Sequence, residues 1–187
     1  MASKKLTQAQ IKKALSQMEK PELIDIICKL CKSSEEVKDQ VNLILGNDSF
    51  VDDALEDAKR KVRNQFFPAR GVGRLNLSKA KSDISAFKKI CSNPEKVLDL
   101  QLYYVECGIE FTNEYGDINE SFYNSMGGMY EKVVQELIKT GNKDLIGEFD
   151  PRLKKAVDDT YYIGWGFGDW IRENYSEIRN YLVEGQE

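Results

Sequence analysis

The sequence has no histidine among its 187 residues. That excludes Ser-His-Asp and Cys-His nucleophilic centres, His-ligated zinc, and the carboxylate-histidine di-iron sites of helical bundles. Any catalysis would rest on carboxylates, lysine, tyrosine or cysteine. Cysteine itself is scarce, with only Cys28, Cys31, Cys91 and Cys107. Cys28-x-x-Cys31 has the spacing of a metal or redox pair. It lies, however, in an apolar helical stretch (Leu23, Ile24, Ile27, Leu30), and no second close pair accompanies it. Buried thiols packing as small hydrophobes are therefore expected, with no metal and no cofactor. Long apolar runs are missing too. Nothing approaches the roughly 18–20 apolar residues of a membrane span, and no apolar stretch follows Met1-Ala2-Ser3-Lys4-Lys5 as in a signal peptide. A cytoplasmic protein with no membrane partner is expected.

Period-two alternation is also absent, and apolar residues recur at three and four nearly throughout. Thr7-x-x-Gln10 reads as a capping box ahead of Ile11, Leu15 and Met18. Pro21 suits the first turn of a second helix, ending near Lys32. Ser33-x-x-Glu36 opens a third, closed by Gly46-Asn47. A fourth, from Asp48 or Ser49, carries Val51, Ala54, Leu55, Ala58, Val62 and Phe66 before Pro68 stops it. A fifth starts near Leu77 or Ser78, and Asn93-Pro94 opens a sixth that reaches Tyr115. The sixth is apolar nearly all round, which marks a central helix. A seventh covers about 119–139. From Asp150 onward there is one long helix, or two joined around Gly164-Trp165-Gly166. The predicted fold is all-α: a single domain of about seven to nine helices, packed as helical hairpins around a central apolar helix at about 94–115. Residues 1–47 form an N-terminal three-helix unit, and residues 48–187 form the main helical body.

Charge is unevenly placed. The chain sums to −4. Lys59 to Lys89 nevertheless holds Lys59, Arg60, Lys61, Arg63, Arg70, Arg74, Lys79, Lys81, Lys88 and Lys89 against Asp83 alone, a net +9. A one-signed patch attracts anions or acidic surfaces. Its second half has two parts. Arg70, Gly71, Gly73 and Arg74 form a loop whose glycines permit close backbone approach to a phosphate. Ser78, Lys79, Lys81, Ser82, Ser85 and Lys89 then offer hydroxyls and ammonium groups on the fifth helix, whose start presents free N–H groups. The loop lacks the third glycine of a dinucleotide fingerprint and follows a helix, and there is no Walker lysine, so neither nucleotide fold is supported. Three readings stay open: the segment packs beside the chain's own acids, binds nucleic acid or another polyanion, or docks an acidic protein.

The acidic counterpart is Glu106, Glu110 and Glu114, four apart on one helix face. Like charges at that spacing cost about 0.2–0.5 kcal/mol per pair in an isolated helix. The stripe faces water, or pairs with Arg70, Arg74 or the lysines of the basic segment. Alternatively it holds a divalent cation with help from Asp117, Asp158 or Asp159, as a metal-dependent phosphohydrolase using Glu106 and Glu110 would require. Near the end of the chain Tyr161, Tyr162, Trp165, Phe167, Trp170, Tyr175 and Tyr181 crowd around glycines. They are expected to complete the core, with base stacking as the alternative.

Three blocks carry a family likeness. They are Phe66-Phe67-Pro68 through Lys81, Tyr103-Tyr104-Val105-Glu106 through Asp117, and Gly164-Trp165-Gly166-Phe167 with Asp169. On these the sequence resembles a bacterial family known as domain of unknown function 6155. The resemblance implies a small all-helical cytoplasmic protein, and brings no activity, cofactor or catalytic residue. The functional expectation is a non-enzymatic binding protein that uses the Gly/Arg loop and the Ser/Lys face.

Overall fold

The computed structural model describes residues 5–69 and 75–184. Among them are nine helices and no strand: α1 (Gln8–Leu15), α2 (Lys20–Ser33), α3 (Glu35–Ile44), α4 (Asp48–Asn64), α5 (Leu77–Ile90), α6 (Pro94–Tyr115), α7 (Glu120–Thr140), α8 (Lys143–Asp159) and α9 (Phe167–Glu184). The all-α expectation holds. The chain divides into two compact units at Asn47 and Asp48.

Local chemistry sets most helix ends. Thr7 and Gln10 form the reciprocal capping box of α1. Ser34, one residue later than expected, caps α3 through the Val37 N–H. Asn93 accepts from Glu95 and Lys96 at the start of α6, with Pro94 in its first turn. Gly141 closes α7 in the left-handed conformation, which costs glycine nothing. Asn142 follows at once and caps α8 through the Asp144 and Leu145 N–H groups. α8 therefore begins well before Asp150. Pro151 lies inside it, where the missing N–H forfeits a bond to the carbonyl four residues back. The aromatic end is two helices, with the turn around Gly164-Trp165-Gly166 between them.

In the body, α6 is central, as its composition implies. It packs against α4, α5, α7 and α8, while α9 packs on α7 and α8. The pairs α4/α5, α6/α7 and α8/α9 form the hairpins. Leu100, Leu102, Tyr104 and Val105 of α6 are wholly buried. An aromatic seam crosses it: Phe66 lies 5.5 Å from Tyr104 and 6.3 Å from Phe111, edge to face. Gly168 lets α9 approach the end of α8, because an added Cβ there would lie 2.5 Å from the Thr160 carbonyl oxygen.

Burial makes two α6 groups hard to ionise. It pushes the Tyr104 phenol up to about 12 from an ordinary 10.0, partly opposed by its hydrogen bond with Ser125. It pushes the Cys107 thiol up to about 11 from 9.0, opposed by Arg63. Raised folded values mean that both contributions are fully present below the ordinary values and vanish as pH rises through the folded ones. Thermal unfolding should thus shift to lower temperature between pH 9 and pH 12. A melting temperature constant across that window would contradict it.

The smaller unit differs. α2 packs against α3, yet among its described residues only Leu43 is buried. Cys91 and Cys107 are buried as expected, whereas Cys28 is exposed and Cys31 half-buried. The apolar periodicity of α2 marks a face correctly, but that face is not covered.

Candidate functional site

Helical spacing puts Asp99, Glu106 and Glu110 on one side of α6, and cations from two neighbouring helices meet them. From α8, Arg152 donates to both Glu106 oxygens, Nε to Oε1 at 2.7 Å and Nη2 to Oε2 at 2.9 Å. Its Nη1 reaches Asp99 Oδ1 at 2.5 Å. From α4, Lys59 Nζ takes the other Asp99 oxygen at 2.9 Å. One helical turn on, Arg63 grips Glu110 in a fork, with two bonds of 2.7 Å. Such bidentate pairs are the stronger kind of ion pair.

Aromatic faces support the cations. Arg63 sits 4.6 Å over the Phe67 ring and Lys59 sits 5.7 Å over Tyr103. The hydrogen bond from Arg63 holds the Glu110 carboxyl below the usual carboxylate range, against some desolvation. Glu110 in return raises the Arg63 guanidinium. Burial pulls Arg152 down, but its bonds to Glu106 and Asp99 outweigh it and the net shift is upward.

The acidic stripe is thus largely neutralised from within. The stripe is paired, but not with the partners expected: Glu110 meets Arg63 and Glu106 meets Arg152, whereas Lys59, the nearest lysine of the basic segment, goes to Asp99. Arg70, Gly71, Gly73 and Arg74 lie outside the described residues. Arg63 was expected only as part of the basic segment and not as the partner of Glu110, and two further participants escaped sequence reasoning. Arg152 is far along the chain and gives no local signal. Asp99 had one, since it stands seven residues before Glu106 on the same face.

A cleft of about 720 Å³ opens beside this stripe, between α6 and α8, lined by Tyr103, Glu106, Glu110, Glu114, Arg152 and Asp159 among others. Asn113 Nδ2 ties its far end by donating to the Asp159 carbonyl at 3.0 Å. Glu106 and Glu110 each give both oxygens to a guanidinium, and no group of three His, Cys, Asp or Glu among the described residues is placed to hold a metal ion. Asp117 is not drawn to this cleft; it accepts from the Tyr123 hydroxyl at 3.4 Å at the α6–α7 turn.

The remaining predicted residues lie on α5. Ala80, Ile84 and Phe87 are buried, while Ser78, Lys79, Lys81, Ser82, Ser85, Lys88 and Lys89 are all exposed. Lys79 pairs with Asp83 at 2.6 Å. Lys81, Lys88 and Lys89 make no ion pair among the described residues. Two details correct the expected anion chemistry. Asn76 caps α5 and occupies the Lys79 N–H at 3.0 Å, so the helix start is not wholly free. The Ser85 hydroxyl donates to the Lys81 carbonyl at 2.8 Å, so its proton is not available to a ligand.

The aromatic end of the chain divides. Phe167 is buried in the core, and Trp170, Tyr175 and Tyr181 are half-buried. Tyr161, Tyr162 and Trp165 instead stand exposed on the α8–α9 turn, contrary to the core expectation. Trp165 has φ 62° and rests over Tyr123 at 6.3 Å.

Fold and site together define an all-helical body built on a buried axial helix and clamped by arginine–carboxylate forks. No described helix is long and apolar enough to cross a membrane. The chain belongs to the Family of unknown function (DUF6155), whose family model matches residues 6–178. No curated protein and no solved structure matches it.

Proposed function

We propose that this chain is a non-enzymatic cytoplasmic binding protein, and that its α5 face, with Arg70 and Arg74 that precede it in the sequence, docks an acidic protein surface. One observation carries the reading. Lys59, Arg60, Lys61, Arg63 and Lys79 of the basic segment are spent on neighbouring acids. Lys81, Lys88 and Lys89 remain together on an exposed face without such partners among the described residues. Nucleic acid is the second reading, since exposed Ser78 and Ser82 beside lysines also suit phosphate oxygens. A metal-dependent phosphohydrolase has no observation in its favour, because Glu106 and Glu110 are occupied by guanidinium groups.

Fluorescence anisotropy with labelled polyglutamate and with a labelled single-stranded oligonucleotide tests this. Polyglutamate should bind at low salt, and the substitutions Lys81→Glu, Lys88→Glu and Lys89→Glu together should weaken it at least about tenfold. If the oligonucleotide binds better, its salt slope should fall by about 2 in the triple variant, at roughly 0.7 for each phosphate no longer neutralised, and the second reading replaces the first. Failure of both probes, or binding unmoved by the substitutions, would remove α5 as the surface.

A further inference from the structure

The uncovered surface of the smaller unit carries an inference of its own, on residues the binding reading does not use. Between α2 and α3 runs an apolar groove of about 680 Å³, lined by Ile24, Ile27, Cys28, Cys31, Val41 and Leu45, with Lys32, Glu35 and Lys38 at its edge. Ile24 is 52 % exposed, Ile27 47 % and Leu45 76 %. Leu6, Ile11, Leu15, Leu30 and Ile44 of the same unit are exposed as well.

We propose that this groove is a homodimer interface, in which α2 of one copy lies in the α2/α3 groove of the other. Shape is the first reason. Ile24, Ile27, Cys28 and Cys31 recur at the three- and four-residue spacing of a stripe that seats in a helix–helix groove, so the unit presents both the groove and a ridge to fill it. A two-fold axis then satisfies both copies with one surface. Charge is the second reason. Residues 5–47 hold seven lysines and six acids. The groove edge itself carries both signs, with Lys32 and Lys38 beside Glu35. A strongly acidic or basic partner would meet like charge along that edge, whereas a second copy brings both signs to it. Fold physics is the third. A unit of this size that buries one side chain lacks a core, and small units commonly gain theirs by association.

The full-length chain tests this directly. Sedimentation velocity at micromolar concentration should give twice the 21.4 kDa chain mass. A short bis-maleimide should join Cys28 of two copies, because Cys91 and Cys107 are buried. The Cys28→Ser, Cys31→Ser variant should lose the covalent dimer and keep the sedimenting one. Ile24→Asp with Ile27→Asp should weaken association roughly 100-fold or more, as loss of a central apolar anchor does, with far-ultraviolet circular dichroism unchanged. If that variant loses helix, Leu45→Lys at its very exposed position serves instead. A monomer at every concentration overturns the proposal. So does a dimer indifferent to these substitutions, or a monomeric chain that holds a different protein through the groove. The α5 lysines are intact in every variant, so polyglutamate binding reports separately on the α5 reading.

Discussion

Phe66→Ala is expected to lower unfolding stability by about 3–5 kcal/mol, the cost of deleting a fully buried phenyl ring and leaving a cavity. Phe66 has no exposed surface and contacts Tyr104 and Phe111 edge to face, so it links the end of α4 to the central helix. A chain of this length loses about 2–4 °C in melting temperature per kcal/mol, so the shift should exceed about 6 °C in thermal denaturation. The urea midpoint should drop to match. Tyr162→Ala is the control. That ring is 93 % exposed, and its removal should stay within about 0.5 kcal/mol. A Phe66→Ala protein as stable as the control would mean that the aromatic seam contributes little.

Arg152→Ala is expected to be the next most costly change, at about 2–3 kcal/mol. The reason is less the missing attraction than what remains. Glu106, with its side chain only 32 % exposed, would lose its guanidinium partner, and Asp99, 20 % exposed, would keep only Lys59. Breaking a fully buried pair costs about 3–5 kcal/mol, and partial solvent access reduces that figure. Arg63→Ala removes a fork of the same geometry, but both of its partners are more than 40 % exposed. It should cost no more than about 1 kcal/mol, the usual range for solvent-screened pairs. Urea denaturation of the two variants side by side decides the matter, and equal losses would refute the role assigned to burial. Adding Glu106→Gln to Arg152→Ala should recover part of the loss, since it removes the stranded charge.

The sequence was most readable where a feature depends on a few neighbouring residues. Thr7, Asn93 and Gly141 mark helix ends through bonds or backbone angles that lie within one turn. The centrality of α6 was readable because apolar residues cover nearly all of it outside the Asp99–Glu106–Glu110 stripe. Reading failed where distance in the chain is large. Nothing near Glu106 points to Arg152, and the pairing exists only because α8 folds back along α6. It failed too where a pattern is necessary but not sufficient. Ile24, Ile27 and Cys28 have core spacing, and spacing does not say what covers them. Within the site, the fate of the acidic stripe was anticipated in kind. The arginines that act on it were not, because a helix wheel shows which face is charged and not which neighbour arrives.

The four-residue spacing of Glu106 and Glu110 has one more consequence. One turn of helix is about 5.4 Å, so sliding α4 or α8 along α6 by that amount would trade one glutamate for the other at little electrostatic cost. The two forks alone leave the alignment of the helices ambiguous. Asp99 removes the ambiguity. It stands seven residues before Glu106 and binds Arg152 and Lys59 together, whereas the residue seven before Glu110 is Tyr103, which carries no charge to offer. Only one alignment satisfies all three acids, so this small carboxylate acts as the index mark against which both neighbouring helices are set.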